Sequence, residues 1–205
     1  MSSYGFKKNK IARKYGVNIF NRRRNPLLHK QNPPGSTGQR RRKKSEYGLQ
    51  LNEKQKLKAV YGMLSESQLL KYYKKVVNLH GNTNELLLQQ LESRLDVVVF
   101  NLKLASTIFA AHQLVSHGHI LVDGKKVNIR SFQVKPGMTI SLKPKSKKKE
   151  LVVQSLEDTR DVPSYLEIQP EQLSGRFITY PEIAQISHPV EINISDICEL
   201  LAHTH

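Results

Sequence analysis

The chain has 205 residues and carries 33 Lys and Arg against 17 Asp and Glu, a formal net charge of +16. One cysteine, Cys198, excludes an internal disulfide framework and a cysteine-based zinc site. No run approaches the ~20 apolar residues that span a bilayer. An excess of positive charge this large repels itself, and its usual compensation is a polyanion.

The charge is graded along the chain. Residues 1–75 carry +17, residues 76–149 carry +7, and residues 150–205 carry −8. Residues 1–46 read as an extended basic arm. RRRNP (22–26), NPPGSTG (32–38) and QRRRKKS (39–45) combine charge with helix-breaking Pro and Gly and offer little apolar surface. By itself such a segment is expected to be largely disordered and to order on its partner. The first 16 residues have the charge of a secretory signal without its apolar core. A transit peptide is harder to set aside, because the basic composition simply continues.

From residue 47 the pattern becomes helical. Leu49, Leu57, Val60, Tyr61 and Leu64 recur at helical spacing, with Lys54, Lys56 and Lys58 between them. Ser65 and Gln68 form a capping-box pattern that opens a second helix, with Gly81 as its stop. Residues 84–102 give a third helical pattern and residues 107–117 a fourth, stopped by Gly118. The period then changes. Ile120–Val122 leads into Asp123-Gly124, a strong type I′ hairpin signal. A further strand is expected at 132–134, and a Pro136-Gly137 turn into 138–142. KPKSKKKE (143–150) reads as a basic linker. The acidic remainder is broken by prolines and suggests irregular structure with one late helix near 194–201.

The stretch QLVSHGHILVDGKKV (113–127) holds the residues of most chemical interest. It is no P-loop: His119 and Lys126 stand where that motif needs Gly and Ser or Thr. His117 and His119 alone do not make a zinc site, and no nucleophile–base arrangement is evident, so neither metal, cofactor nor enzyme activity is expected. A helix end turning through glycine into a basic hairpin lets a phosphate backbone approach closely. Ser116, His117, Lys125 and Lys126 would then donate to phosphate or 2′-hydroxyl oxygens, reading shape more than base sequence.

LESRLDVVVFNLKLAST and QLVSHGHILVDGKKVNIRSFQVKPG (within 91–137) closely resemble the RNA-binding module named after small-subunit ribosomal protein S-four. That module also occurs in RNA-modifying enzymes such as pseudouridine synthases, and in free RNA-binding proteins, both of which stand as alternatives. The flanks PPGSTGQRRRKKSEYGLQLNEKQKLKAVYGML (33–64), GNTNELLLQQLESRLD (81–96) and PSYLEIQPEQLSGRF (163–177) are similar to the ribosomal protein family itself. The resemblance covers nearly the whole chain.

It implies an α+β protein: a mostly helical domain with a basic N-terminal arm (1–46), formed by residues 47–91 plus 156–205, and an inserted αβ module with its basic linker (92–155). That module has two helices and a few short strands. The resemblance also implies a structural constituent of the small ribosomal subunit. Such a protein binds rRNA early in assembly at a multi-helix junction of the 5′ domain. It lies beside protein S-five and near the path by which mRNA enters, and it influences decoding accuracy. The implied RNA contacts are Arg40, Arg41, Arg42, Lys43, Lys44, Tyr47, Lys54, Gln55 and Lys56 in the arm and first helix. In the module they are Arg94, Thr107, Gln113, Ser116, His117, Gly118, Lys125 and Lys126. Asp96 is expected to orient Arg94 or cap locally.

Some positions depart from the family. Ile108 and His112 stand where many members have arginine, Ser36-Thr37 replaces a glutamine–histidine turn, QLLKYY (68–73) replaces an arginine-rich stretch, and the N-terminal zinc cysteines of some members are missing. The module's RNA face is therefore expected to have lost charge, with more of the affinity carried by the arm. A divergent lineage follows, in a bacterial cytoplasm or a mitochondrial matrix, with no membrane partner.

Overall fold

The structure is a computed structural model that describes residues 7–20, 22, 24–35, 45–146 and 160–204. It divides into two compact units, residues 1–73 with 188–205 and residues 74–187. Among the described residues it holds seven α-helices and one five-stranded antiparallel sheet, an α+β architecture.

In the first unit, α1 (Lys8–Tyr15) ends on Gly16, whose φ of 72° is the left-handed conformation glycine adopts freely. The arm is therefore not structureless throughout: a helix forms at 8–15 and a 3-10 turn at Pro26–Leu28, capped by the Asn25 side chain. α2 (Glu46–Val60) starts at Ser45, whose hydroxyl accepts from the Gly48 amide at 3.2 Å. α3 (Glu66–Val77) starts as its capping residue predicts, Ser65 accepting from the Gln68 amide. It ends four residues before Gly81, so that glycine is not its cap.

α7 (Ile194–Thr204), the last helix, packs on α2. Gln50 donates to Glu199 at 3.0 Å, and Glu53 accepts from the Asn193 amide at 3.1 Å. Leu57, Leu69, Ile197 and Leu201 are fully buried in this unit, each worth about 1.5–3 kcal/mol against exposure. The thiol of Cys198 on α7 is pushed up to about 11 by burial, so it is protonated and unreactive at neutral pH.

In the second unit, the single helix expected over 84–102 is two: α4 (Thr83–Glu92) and α5 (Leu95–Asn101). The chain breaks at Ser93-Arg94 because another loop takes the backbone groups there. The Val134 amide donates to the Ser93 carbonyl at 2.7 Å, and the Leu95 amide donates to the Phe132 carbonyl at 2.8 Å. The strand expected at 132–134 is thus a single bridge between Arg94 and Gln133. α6 (Ile108–Ser116) follows, capped by Thr107 and stopped at Gly118, φ 67°.

β1 (Ile120–Val122) and β2 (Lys125–Lys126) form the hairpin. Asp123 and Gly124 take φ of 47° and 75°, as a type I′ turn requires. β3 (Thr139–Leu142) pairs with β1.

The acidic tail departs most from expectation. Residues 166–177 are not irregular and do not belong with the helical unit. β4 (Leu166–Gln169) and β5 (Ser174–Phe177) complete the sheet in the order β2-β1-β3-β5-β4. The sheet and the helices α5 and α6 enclose one core that includes Leu95, Val98, Leu102, Leu114, Ile140 and Phe177. Gly175 is required by space: a Cβ there would meet Leu102 Cδ2 at 2.3 Å and the Glu167 carbonyl at 2.7 Å. A buried polar tie joins tail to helices. The Tyr165 hydroxyl donates to Glu92 at 2.8 Å and Asn101 donates to the same oxygen at 3.0 Å. Burial and the Glu92 carboxylate push the tyrosine far above its ordinary range.

Candidate nucleic-acid interface

Arg40, Arg41, Arg42, Lys43 and Lys44 lie outside the described residues. On α2, Tyr47 is well exposed and Gln55 half-buried. Lys54 and Lys56 differ from their expected role, because their charges are already matched inside the unit. The side chain of Lys54 is only 7% exposed and lies 2.8 Å from Glu66, which also holds Lys58 at 2.8 Å. Lys56 pairs with Glu53 at 2.6 Å and donates to the Glu191 carbonyl. Burial alone would raise the Glu66 carboxyl, but the hydrogen bonds and charges of Lys54 and Lys58 hold it below its usual range.

In the second unit Arg94 is likewise no surface contact. The break between α4 and α5 turns it inward, where it is 3% exposed. It forks onto Asp96, Nε to Oδ1 at 3.0 Å and Nη2 to Oδ2 at 2.6 Å. Asp96 also accepts from the Val97 amide, so the expected orienting and local capping roles both hold for it. Its burial alone would raise its pKa. The contact from His112 and the Arg94 charge outweigh that and lower it. Thr107 accepts from the Ala110 amide at 3.1 Å and so caps α6, while its hydroxyl keeps its own proton to donate. Ile108 is buried, at 3% exposure.

The remaining residues gather on one edge. Gln113, Ser116 and His117 are exposed on the last turn and C-cap of α6, and Lys125 and Lys126 are exposed on the hairpin. Gly118 joins them. Its amide donates to the Val115 carbonyl at 2.8 Å. A Cβ on it would sit 2.2 Å from Lys126 Cε, so the lysine stem lies across the glycine. This brings a cation against the carbonyl end of α6, where the helix dipole favours it. His119 faces its neighbours rather than solvent: Nδ1 lies 3.0 Å from the Ser146 hydroxyl, and the Lys143 amide donates to its carbonyl.

Among the described residues no carboxylate lies within ion-pair distance of Lys125 or Lys126. Nor do three or more His, Cys, Asp or Glu side chains there converge as a metal site, and no helix is long and apolar enough to cross a membrane. Arg130 was missed by sequence reading. It is half-buried and packs its guanidinium on His112, Nη1 to Nδ1 at 3.3 Å. No local motif marks it, because its partner is 18 residues away.

These features define a class: an α+β protein with unneutralised cations on a hairpin beside the polar end of a helix, suited to a polyanion. The family described as "Ribosomal protein S4/S9 N-terminal domain" matches residues 3–92, and the S4 domain matches residues 93–140. A protein of Protochlamydia amoebophila named small ribosomal subunit protein uS4 is 58% identical over all 205 residues, covering the whole of both chains. Proteins of the same name from Chlamydia trachomatis serovar L2 and Chlamydia caviae are 55% and 51% identical over 99% of each chain. The chain belongs to the uS4 family of ribosomal proteins.

Proposed function

We propose that this chain is a structural constituent of the small ribosomal subunit that binds rRNA and catalyses no reaction. Its similarity over the whole length to bacterial proteins named for that subunit carries the reading. The exposed edge Gln113, Ser116, His117, Lys125 and Lys126 supports it chemically, since cations without internal partners suit a phosphate backbone. The finer proposal is a primary binder that helps nucleate the 5′ domain at a multi-helix junction, beside protein S-five and near the path of incoming mRNA. Relatives from Chlamydia favour a bacterial cytoplasm. The basic block Arg40 to Lys44 is proposed as the stronger contact and the hairpin edge as the shape-reading one.

The test is equilibrium binding of the purified chain to the 5′ domain of small-subunit rRNA across a salt series. Each phosphate contact contributes a slope of about −0.9 on duplex or about −0.7 on single strands. A steep slope with preference over an unrelated RNA of equal length is the expected result. A steep slope without preference would mean that charge alone drives binding, and the primary-binder proposal would fail. Failure to co-sediment with small subunits would instead point to a free RNA-binding protein.

A further inference from the structure

We infer that Arg130 is a further RNA contact, and that His112 positions it by presenting a neutral ring whose tautomer Asp96 fixes. The inference rests on the RNA-binding reading above and extends its edge to a residue of the matched module that the sequence reading did not single out.

The argument begins with charge. Asp96 is fully buried, and Arg94 takes both of its carboxylate oxygens. One carboxylate is thereby matched to one guanidinium. Arg130 is a second guanidinium in the same cluster, yet among the described residues no carboxylate lies within ion-pair distance of it. Its positive charge is left over, at a half-exposed position four residues after the hairpin lysines.

The geometry then fixes the histidine. A guanidinium donates and never accepts. With Arg130 Nη1 at 3.3 Å, His112 Nδ1 must therefore offer its lone pair. Nε2 lies 3.1 Å from Asp96 Oδ2, bent off the straight hydrogen-bond line. A lone pair at that distance from a carboxylate oxygen would be repelled, so Nε2 carries the proton. The ring is thus neutral and polarised: Asp96 draws on its N–H while the opposite nitrogen accepts from arginine. The groups facing His112 are Asp96 from α5, Arg94 just before α5, Arg130 from the loop after β2, and the Phe109 ring edge-on from its own helix.

Arg130 is tied to Asp96 at both ends. The Asp96 amide donates to the Arg130 carbonyl at 3.3 Å, and the guanidinium reaches the carboxylate through the imidazole. This removes rotamer freedom from a long side chain before any ligand arrives, which lowers the cost of binding. A guanidinium has five N–H donors, so one bond to imidazole leaves others for phosphate. Position is the second argument. His112 and Ser116 are four apart on α6 and share a face, as do Gln113 and His117. Arg130 therefore sits at the start of the stripe that ends at Ser116 and His117, about 6 Å further along the helix.

The test combines a double-variant cycle with ring spectroscopy on the full chain. Arg130→Ala is expected to weaken binding to the 5′-domain RNA about fivefold at 0.1 M salt, the weight of one phosphate contact with a slope of about −0.7. His112→Ala should weaken binding in the same direction, and the double variant should be no weaker than Arg130→Ala alone. His112→Gln keeps an amide donor and a carbonyl acceptor, so it should restore most of the affinity. It also serves if the alanine variant fails to fold. The 15N shifts of the His112 ring should show Nε2–H and a bare Nδ1 without RNA. Wild-type affinity in Arg130→Ala, additive losses, or an Nδ1–H ring would each overturn the inference. Loss of RNA preference in the unaltered chain would instead sink the proposed function, leaving the ring measurement to decide the positioning claim.

Discussion

Each unit of this molecule holds one carboxylate between two nitrogen-bearing side chains, and the two arrangements serve different ends. Glu66 receives Lys54 and Lys58 with its own side chain half exposed. Asp96 receives Arg94 and His112 with no exposure at all. In water the first is a weak surface network. In the interior the second is a structural necessity, because removing either partner leaves a buried charge. Both consume residues that the family resemblance assigns to RNA, Lys54 in one unit and Arg94 in the other. Among the described residues of the candidate edge, the cations left for a polyanion are those without a counter-charge, Lys125 and Lys126 on the hairpin and Arg130 after it.

Substitutions at the two carboxylates sharpen this comparison most. Asp96→Ala should lower stability by about 3–5 kcal/mol in urea unfolding, the cost of a broken buried pair, whereas Glu66→Gln should cost under about 1 kcal/mol. Equal losses would break the comparison. Acid should reveal the same difference. The folded Asp96 carboxyl lies below its ordinary value, so its contribution is complete above the unfolded pKa of about 3.9. That contribution is lost as pH falls through the lower folded value. A stability profile from pH 5 to pH 2 should therefore be steeper for the unaltered chain than for Asp96→Asn.

Next in size is Gly175→Ala. The added methyl meets a backbone carbonyl and Leu102, and a cost of about 1–3 kcal/mol is expected for such overpacking, measured as a fall in melting temperature. The lysines can be set against each other directly. Lys125→Ala with Lys126→Ala should flatten the salt slope of RNA binding by about 1.4–1.8, two contacts' worth. Lys54→Ala should leave the slope unchanged and show itself in stability instead. A slope change from Lys54→Ala would overturn the view that its charge is internally spent. A small effect is also expected at Ser45, where alanine removes the α2 cap for about 1 kcal/mol, measured by urea unfolding.

Much of the helical and hairpin layout was legible because its causes are local. The S-x-x-Q start of α3, the glycine stop after α6 and the Asp-Gly turn each act over a few residues. The candidate edge from Gln113 to Lys126 was legible for the same reason. The break between α4 and α5 was not, because its hydrogen bonds come from residues 132–134. Nor were β4 and β5, whose short strands lie among prolines and carboxylates. They become strands only because β3 offers an open edge and Glu92 meets Tyr165 in the interior.

The sequence by itself therefore determined the α+β class, the polyanion-seeking charge, the family and the glycine-hinged hairpin edge, since composition and short-range pattern carry these. Which cations remain available was decided in good part by tertiary structure. Lys56 and Arg94 find their carboxylates within three residues, but Lys54 looks the same in sequence as Lys125 and Lys126. It differs because the fold brings Glu66 of another helix to it and, among the described residues, no carboxylate to the other two. Charge is a property of a residue, but its availability depends on neighbours, which for Lys56 lie one turn away at Glu53 and 135 residues away at the Glu191 carbonyl.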